Sequence, residues 1–125
     1  MTNVLWVGIG GFIGAASRYL LSTFVGQWSP WQAFPVGTLM VNTTGSLIIG
    51  MLGGFLETYG PLSPPVRMFL FMGVLGGFTT FSTFSMETLT LWRTGGPVPA
   101  FVNMLAHLAL GLGAVSLGHW VGTKL

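Results

Sequence analysis

The chain has 125 residues, of which 51% are hydrophobic, and its four Lys or Arg and two Asp or Glu residues give a formal charge of +2. Charged residues make up 5% of the sequence, against roughly 25% in a typical soluble domain, so the composition predicts a membrane protein. The charge is too small and too scattered to suggest nucleic-acid binding, and the lack of cysteine excludes disulfides and thiolate metal sites.

Four apolar segments are long enough to cross a bilayer, which takes about 20 residues per helix. Loops rich in Pro, Gly or Trp separate them. The first segment is too long for the apolar core of a signal peptide and has no basic stretch before it, so we expect it to remain as a span. We predict a single all-α domain, 1–125, of four transmembrane helices. The predicted spans are residues 4–24, 36–58, 66–92 and 98–122, and the predicted loops are 27–35, 57–65 and 93–99.

The basic residues give little indication of how the four spans are oriented. With both termini on one side, that side holds Arg67 and Lys124, while the other holds Arg93 and, if it lies at the far end of span one, Arg18. Cytoplasmic loops are normally enriched in Lys and Arg, but two on each side give no bias. The topology is therefore either set by weak features or dual, with the same chain inserting both ways and pairing antiparallel. We expect so small a chain to oligomerise.

Span one carries small residues and a single arginine. Gly10 and Gly14 form a G-x-x-x-G pair, which is typical of close packing between membrane helices. Arg18 lies roughly 21 Å beyond Val4 along a helix. At that depth it either anchors the helix at the membrane interface or supplies a fixed positive charge that attracts anions to a vestibule. The sequence alone supports the two roles equally.

Polar side chains in spans two and four share helical faces. Thr38, Asn42 and Ser46 follow one another at intervals of four residues in span two. Asn42 offers two amide donors without a formal charge, so it either bonds a neighbouring helix or donates to a permeating anion. Asn103 and His107 share a face of span four. A lone membrane histidine is more often a hydrogen-bonded packing residue, and the alternative is a pH-sensitive pore residue.

Span three combines glycine and hydroxyl residues in a way that is unlike an ordinary membrane helix. Glycine costs about 1 kcal/mol per residue in a helix interior, and Ser and Thr bond to the backbone, so the stretch 73–87 predicts a broken helix. Within a bilayer the freed backbone groups must meet protein, water or an ion, and broken helices near the midplane commonly form ion sites. Exposed carbonyls at 76–80 would suit a hard cation. The residues concerned are Gly73, Gly76, Gly77, Thr79, Thr80, Ser82, Thr83 and Ser85.

Phe81 and Phe84 lie three residues apart in the same stretch, on roughly one face. Such a pair most often contacts lipid or packs in a core. The edges of aromatic rings, however, carry partial positive charge, so phenyl edges with amide and hydroxyl donors can replace part of an anion's water without a countercharge that would trap it. No acidic residue lies in mid-span, which disfavours a cation or proton-coupled path. Glu57 lies at a span end, and Glu87 follows the hydroxyl-rich stretch by one turn.

Three motifs occur in order in spans one, two and three. They are Gly10-Gly-x-x-Gly-Ala-x-x-Arg-Tyr19, Gly37-Thr-Leu-x-Val-Asn42 with Gly45, and Gly76-Gly-Phe-Thr-Thr-Phe-Ser-Thr-Phe-Ser-x-Glu87. Together they resemble the motifs of the CrcB (Fluc) fluoride channels; the third is long and specific, and the resemblance covers essentially the whole chain. It implies an antiparallel, dual-topology homodimer of four-helix subunits with two pores, which exports toxic fluoride passively across the cytoplasmic (inner) membrane.

The resemblance also implies roles for single residues. It makes Phe81 and Phe84 fluoride-facing aromatics with Asn42 as a nearby donor. Family members carry a small polar residue on span four where this chain has His107, so the polar part of the pathway differs here. The implied pore residues are Asn42, Phe81, Phe84, Ser82, Thr83, Thr38 and His107, the vestibule or structural charges are Arg18 and Glu87, and the carbonyls of Gly76 and Thr79 from both subunits would hold a structural Na⁺.

Two other classes of function are the alternatives. A proton-coupled exporter can also be small, four-spanning and dual-topology, but it would need a carboxylate inside span one, where the sequence has none. A non-conducting subunit would need a different chain to complete a pore, and the set of Asn42, Phe81 and Phe84 favours a pore of the chain's own. An enzyme finds no support, because the sequence shows no nucleophile–base pair, metal cluster or phosphate-binding loop.

Overall fold

The computed structural model describes residues 2–125, and all the regular structure in that range is helical. The pieces between residues 64 and 95 form one interrupted apolar run, so four stretches are long and apolar enough to cross a membrane. The prediction of an all-α protein with four membrane-spanning helices is confirmed. The elements are α1 (Thr2–Trp28), α2 (Val36–Tyr59), α3 (Pro64–Arg67), a π-helical segment (Met68–Leu75), α4 (Gly76–Phe78), α5 (Phe81–Gly95) and α6 (Pro97–Gly122).

The helices are longer than predicted, because the loops between them are shorter. α1 continues to Trp28, four residues beyond the predicted end of span one. The predicted loop at 93–99 shrinks to Gly96 alone. Its φ of 83° reverses the chain, a conformation that glycine adopts without strain, and Pro97 fits the first position of the next helix. The amide of Gly96 donates to the Trp92 carbonyl and so completes the end of α5.

Two helix pairs form the framework of the bundle. α1 lies against the π-helical segment and α4, and α2 lies against α6. Each contact has two glycines, four residues apart, on both sides; a Cβ at Gly50 would overlap the Val115 carbonyl, and one at Gly118 would overlap the Leu47 carbonyl. The backbones therefore touch directly, and the predicted packing role of the span-one glycines is confirmed. The facing pairs are Gly10 and Gly14 with Gly73 and Gly77, and Gly50 and Gly54 with Gly118 and Gly122.

A single chain buries little of its apolar surface. Large apolar side chains along α1 and α6 are exposed, and Phe12 on α1 reaches 77% exposure. A surface of this kind suits lipid or a second chain, because water would disfavour it. Among the described residues the buried hydrophobic side chains are Val41, Leu75, Phe78, Leu91 and Ala100.

Candidate functional site

Thr79 and Thr80 interrupt the helical run between α4 and α5. Both are extended, with φ and ψ of −82° and 156° at Thr79 and of −153° and 114° at Thr80. The Thr80 hydroxyl accepts from the Thr83 amide at 3.3 Å and caps the start of α5. The Thr79 hydroxyl donates back to the Leu75 carbonyl at 3.0 Å. The hydroxyl residues thus hold the helix ends on both sides of the interruption.

Asn42 of α2 bonds both polar groups of Thr80. Its Nδ2 donates to the Thr80 carbonyl at 3.1 Å, and its Oδ1 accepts from the Thr80 amide at 2.9 Å. The interhelical bonding that the sequence allowed for Asn42 is therefore present. A side-chain amide has two N–H groups, and the second makes no hydrogen bond to the described residues. That N–H can be donated to a ligand.

The bond to Asn42 leaves the carbonyl of Gly76 free. In an uninterrupted helix, the Thr80 amide would donate to Gly76, four residues before it. Here that amide donates to Asn42 instead, and within residues 2–125 no other donor bonds the Gly76 carbonyl. Gly76 is also exposed. Its carbonyl oxygen is accordingly available to a cation or to water.

An open groove of about 730 Å³ lies over the interruption. Its lining includes Asn42 and Ser46 from α2, Phe81 and Phe84 from α5, and His107 from α6. The fold therefore brings four of the predicted pore residues into one concavity from three helices. The residues of the predicted cation site line the same groove, which adds Gly76 and Thr79 to the set.

Three aromatic rings follow one another along the groove. The ring centroids of Phe81 and Phe84 lie 5.6 Å apart, with the planes at 46°. Those of Phe84 and His107 lie 4.5 Å apart, with the planes at 49°. Phe81 is 79% exposed, so it does not belong to the core of a single chain. The contact between Phe84 and His107 joins α5 to α6, and helical periodicity within one span could not have revealed it.

A chain of hydrogen bonds connects α5 and α6 beside the groove. The Thr88 hydroxyl donates to the Phe84 carbonyl at 2.7 Å and accepts from Nδ2 of Asn103 at 2.9 Å. Asn103 is fully buried. Its backbone carbonyl oxygen lies 3.0 Å from Nδ1 of His107. The sequence placed Asn103 and His107 on one face but missed Thr88. Because a buried asparagine needs a hydrogen-bond partner, the polar side chain of Asn103 was the signal that pointed to a partner on a neighbouring helix.

The remaining predicted residues lie outside the groove. The Thr38 hydroxyl donates to Oε1 of Glu87 at 2.7 Å. Thr38 and Thr83 line a second cavity of about 260 Å³ together with Arg18, and a third of about 390 Å³ together with Glu87. Ser82 is exposed near the start of α5. Apart from Ser82, the predicted pore and charge residues are thus divided between the groove and two smaller cavities.

Arg18 lies well inside α1. The helix continues from Arg18 to Trp28, roughly 15 Å further along its axis, and Arg18 is half-buried. Its neighbours in the second cavity include Thr38 and Thr83, whose hydroxyls are neutral. This position favours the role of a fixed charge beside a cavity over that of an anchor at the helix end.

A polar and aromatic groove beside an interrupted membrane helix is an arrangement typical of channels and transporters. Comparison with known proteins gives the family. Residues 5–119 match the model of the family described as CrcB-like protein, Camphor Resistance (CrcB). The chain belongs to this CrcB-like family, and the resemblance seen in the three motifs is confirmed.

Relatives named fluoride-specific ion channel FluC match almost the whole chain. The protein of Ruminiclostridium cellulolyticum is 47% identical over 118 residues, or 94% of this chain and 90% of its own. The protein of Parabacteroides distasonis is 45% identical over 125 residues, which cover 100% of this chain and 96% of the relative. The protein of Methylobacterium radiotolerans is 42% identical over 125 residues, which cover 96% of this chain and 84% of the relative. Ion channels are not enzymes, so the predictions of a non-enzymatic, multi-pass membrane protein are confirmed.

Proposed function

We propose that the chain forms a passive, fluoride-selective channel through which fluoride leaves the cell across the cytoplasmic membrane, which protects the cell from fluoride toxicity. The groove supports this proposal, because Asn42, which has a second amide N–H free, lines it together with Phe81 and Phe84. Fluoride is small and strongly hydrated, so donors must replace its water. Amide, hydroxyl and ring-edge donors do so without a fixed countercharge that would hold the anion. The name of the relatives supports the choice of anion.

The partner in this proposal is a second copy of the chain, inserted the other way up. In one chain the groove is open, and the Gly76 carbonyl is free. Unpaired backbone groups facing hydrocarbon cost several kcal/mol each, so another surface must cover them. An antiparallel copy would close both grooves and give two pores. Arg67 and Lys124 on one side and Arg93 on the other give only a weak bias, which is compatible with both orientations.

A structural Na⁺ between the two copies is the cofactor of this arrangement. The interruption lies midway along Pro64–Gly95, so we place it at the bilayer centre. The freed carbonyl of Gly76 and the neighbouring carbonyl of Thr79 are oxygen ligands of the kind that hard cations prefer. One chain offers two such oxygens and two chains offer four. The cation would hold the interruption together and add a positive field beside the anion path.

Ion efflux from liposomes that contain only this purified protein tests the proposal. Fluoride and chloride electrodes are read in parallel, with Na⁺ present on both sides. We expect fast loss of fluoride without loss of chloride. If a folded dimer releases neither ion, the chain is not a channel by itself, and a non-conducting subunit becomes the better description. Reconstitution with N-methyl-D-glucamine in place of Na⁺ should slow the flux, and an unchanged flux would rule out the structural cation.

A further inference from the structure

His107 uses one ring nitrogen in a hydrogen bond and leaves the other without a partner. Nδ1 lies 3.0 Å from the Asn103 carbonyl. A carbonyl oxygen can only accept, so Nδ1 carries the hydrogen of the neutral ring. Nε2 is then a bare acceptor, and it is buried with no hydrogen-bond partner among residues 2–125. Buried polar atoms are normally paired, so this nitrogen is free to accept a ligand.

The ligand must be a proton or a donor, because Nε2 of this tautomer offers only a lone pair. His107 lines the same groove as Asn42 and Phe81. A lone pair repels a passing anion, so the neutral ring opposes the anion at this point of the path. A proton on Nε2 reverses the interaction, since it creates an N–H donor and a positive charge.

We propose that Nε2 of His107 is an anion-binding subsite that takes up a proton and an anion together. The inference rests on the proposed function, which makes fluoride the anion that enters the groove. One positive and one negative charge arrive together, so the net charge of the groove is unchanged. Because the two ligands share one site, the proton raises the affinity for the anion, and the anion raises the affinity for the proton by the same factor.

The charged groups on the neighbouring helices belong to other sites. Among the described residues, His107 is the ionisable residue of the groove lining. Glu87 on α5 and Arg18 on α1 line the smaller cavities. His119 lies about three turns further along α6, with Nε2 3.0 Å from Oε1 of Glu57 on α2, and the π-helical segment carries no ionisable residue. A proton bound in the groove is therefore bound by His107.

Proton uptake on addition of fluoride tests the coupling without any variant. Sodium fluoride is added to the purified protein in weakly buffered detergent solution at several values between about pH 5 and 8, the range in which histidine titrates. A pH electrode follows the uptake, and a protein-free solution supplies the blank for protons taken up by fluoride itself. We expect uptake of up to one proton per subunit. His107→Gln keeps an N–H donor but cannot titrate, so it should take up none. The matched control, His119→Gln on the same helix, should behave as the wild type.

Fluoride efflux from liposomes gives a second readout. We expect the wild-type flux, corrected for leakage from protein-free liposomes, to rise as the pH falls from about 8 to 6, and the flux of His107→Gln to be independent of pH. No proton uptake by the wild type, or equal uptake by His107→Gln, would overturn the proposed subsite. A fluoride flux measured in the same protein would still support the proposed channel. The absence of fluoride flux at every pH would overturn the proposed function itself.

Discussion

The peptide group of Thr80 shows how one side chain can serve both structure and transport. Its extended conformation removes its N–H from the helical ladder, and Asn42 bonds both this N–H and the Thr80 carbonyl. Buried backbone groups left unpaired would each cost about 1–3 kcal/mol, so the amide of Asn42 stabilises the interruption. The two interpretations of Asn42 drawn from the sequence do not exclude each other, because the second N–H of Nδ2 is still available to an anion.

The ring of Phe81 gives the residue-scale prediction. Phe81→Ile keeps the apolar bulk in the groove but removes the polarised ring edge. If the edge stabilises the anion in the pathway by about 1.4 kcal/mol, fluoride flux falls about tenfold, while gel filtration should still give the dimer that we propose. Phe12→Ile is the matched control, since Phe12 is 77% exposed on α1 and does not line the groove. Equal fluoride flux in the wild type and Phe81→Ile would remove the aromatic role.

Glycine spacing decides which helices lie against each other at the scale of whole elements. α2 and α6 touch through interleaved glycines, and α1 meets the π-helical segment and α4 in the same way. Small residues let membrane helices approach to backbone contact, where dispersion forces act over the whole interface. Because the remaining faces carry large apolar side chains, these two glycine seams position the elements that form the groove.

Gly118→Ala tests the contact between α2 and α6. A Cβ at Gly118 would overlap the Leu47 carbonyl, so the helices must separate. We expect the free energy of unfolding to fall by about 1–3 kcal/mol, measured by circular dichroism during thermal unfolding in detergent. Gly113→Ala is the control on the same helix, because a Cβ there meets nothing within 4 Å, and the helix propensity of alanine should stabilise it by up to about 1 kcal/mol. Equal melting temperatures for the two variants would contradict the proposal that the glycine contact between α2 and α6 stabilises the fold.

At the scale of the whole molecule, a single chain has only a small buried interior. A single chain leaves the groove open and the free Gly76 carbonyl exposed at its wall, in a protein whose four long stretches suit a membrane. Polar groups in that position need a cover that lipid does not supply. This requirement, together with the weak bias of the basic residues between the two sides, is the physical basis for the antiparallel dimer that we propose.

Labelling of single cysteines tests the dual topology, and the absence of native cysteine gives a clean background. Ala33→Cys and Ser63→Cys place one thiol in each of two loops that lie at opposite ends of the bundle. A reagent that cannot cross the membrane should label about half of each variant in intact cells if the chain inserts both ways, because each loop then lies outside in half of the copies. Full labelling of one variant and none of the other would show a single topology.

The amino-acid sequence by itself determined the class of protein, the number of spans and the family, because apolar length, charge content and contiguous motifs are local properties of the chain. The tertiary structure alone decided which polar groups meet. Thr38 and Asn42 lie on one helical stripe, yet Thr38 bonds Glu87, 49 residues away, and Asn42 bonds Thr80, 38 residues away. The contact between Phe84 and His107 likewise joins two helices. Periodicity shows which side chains share a face, but what that face contacts depends on how the helices pack.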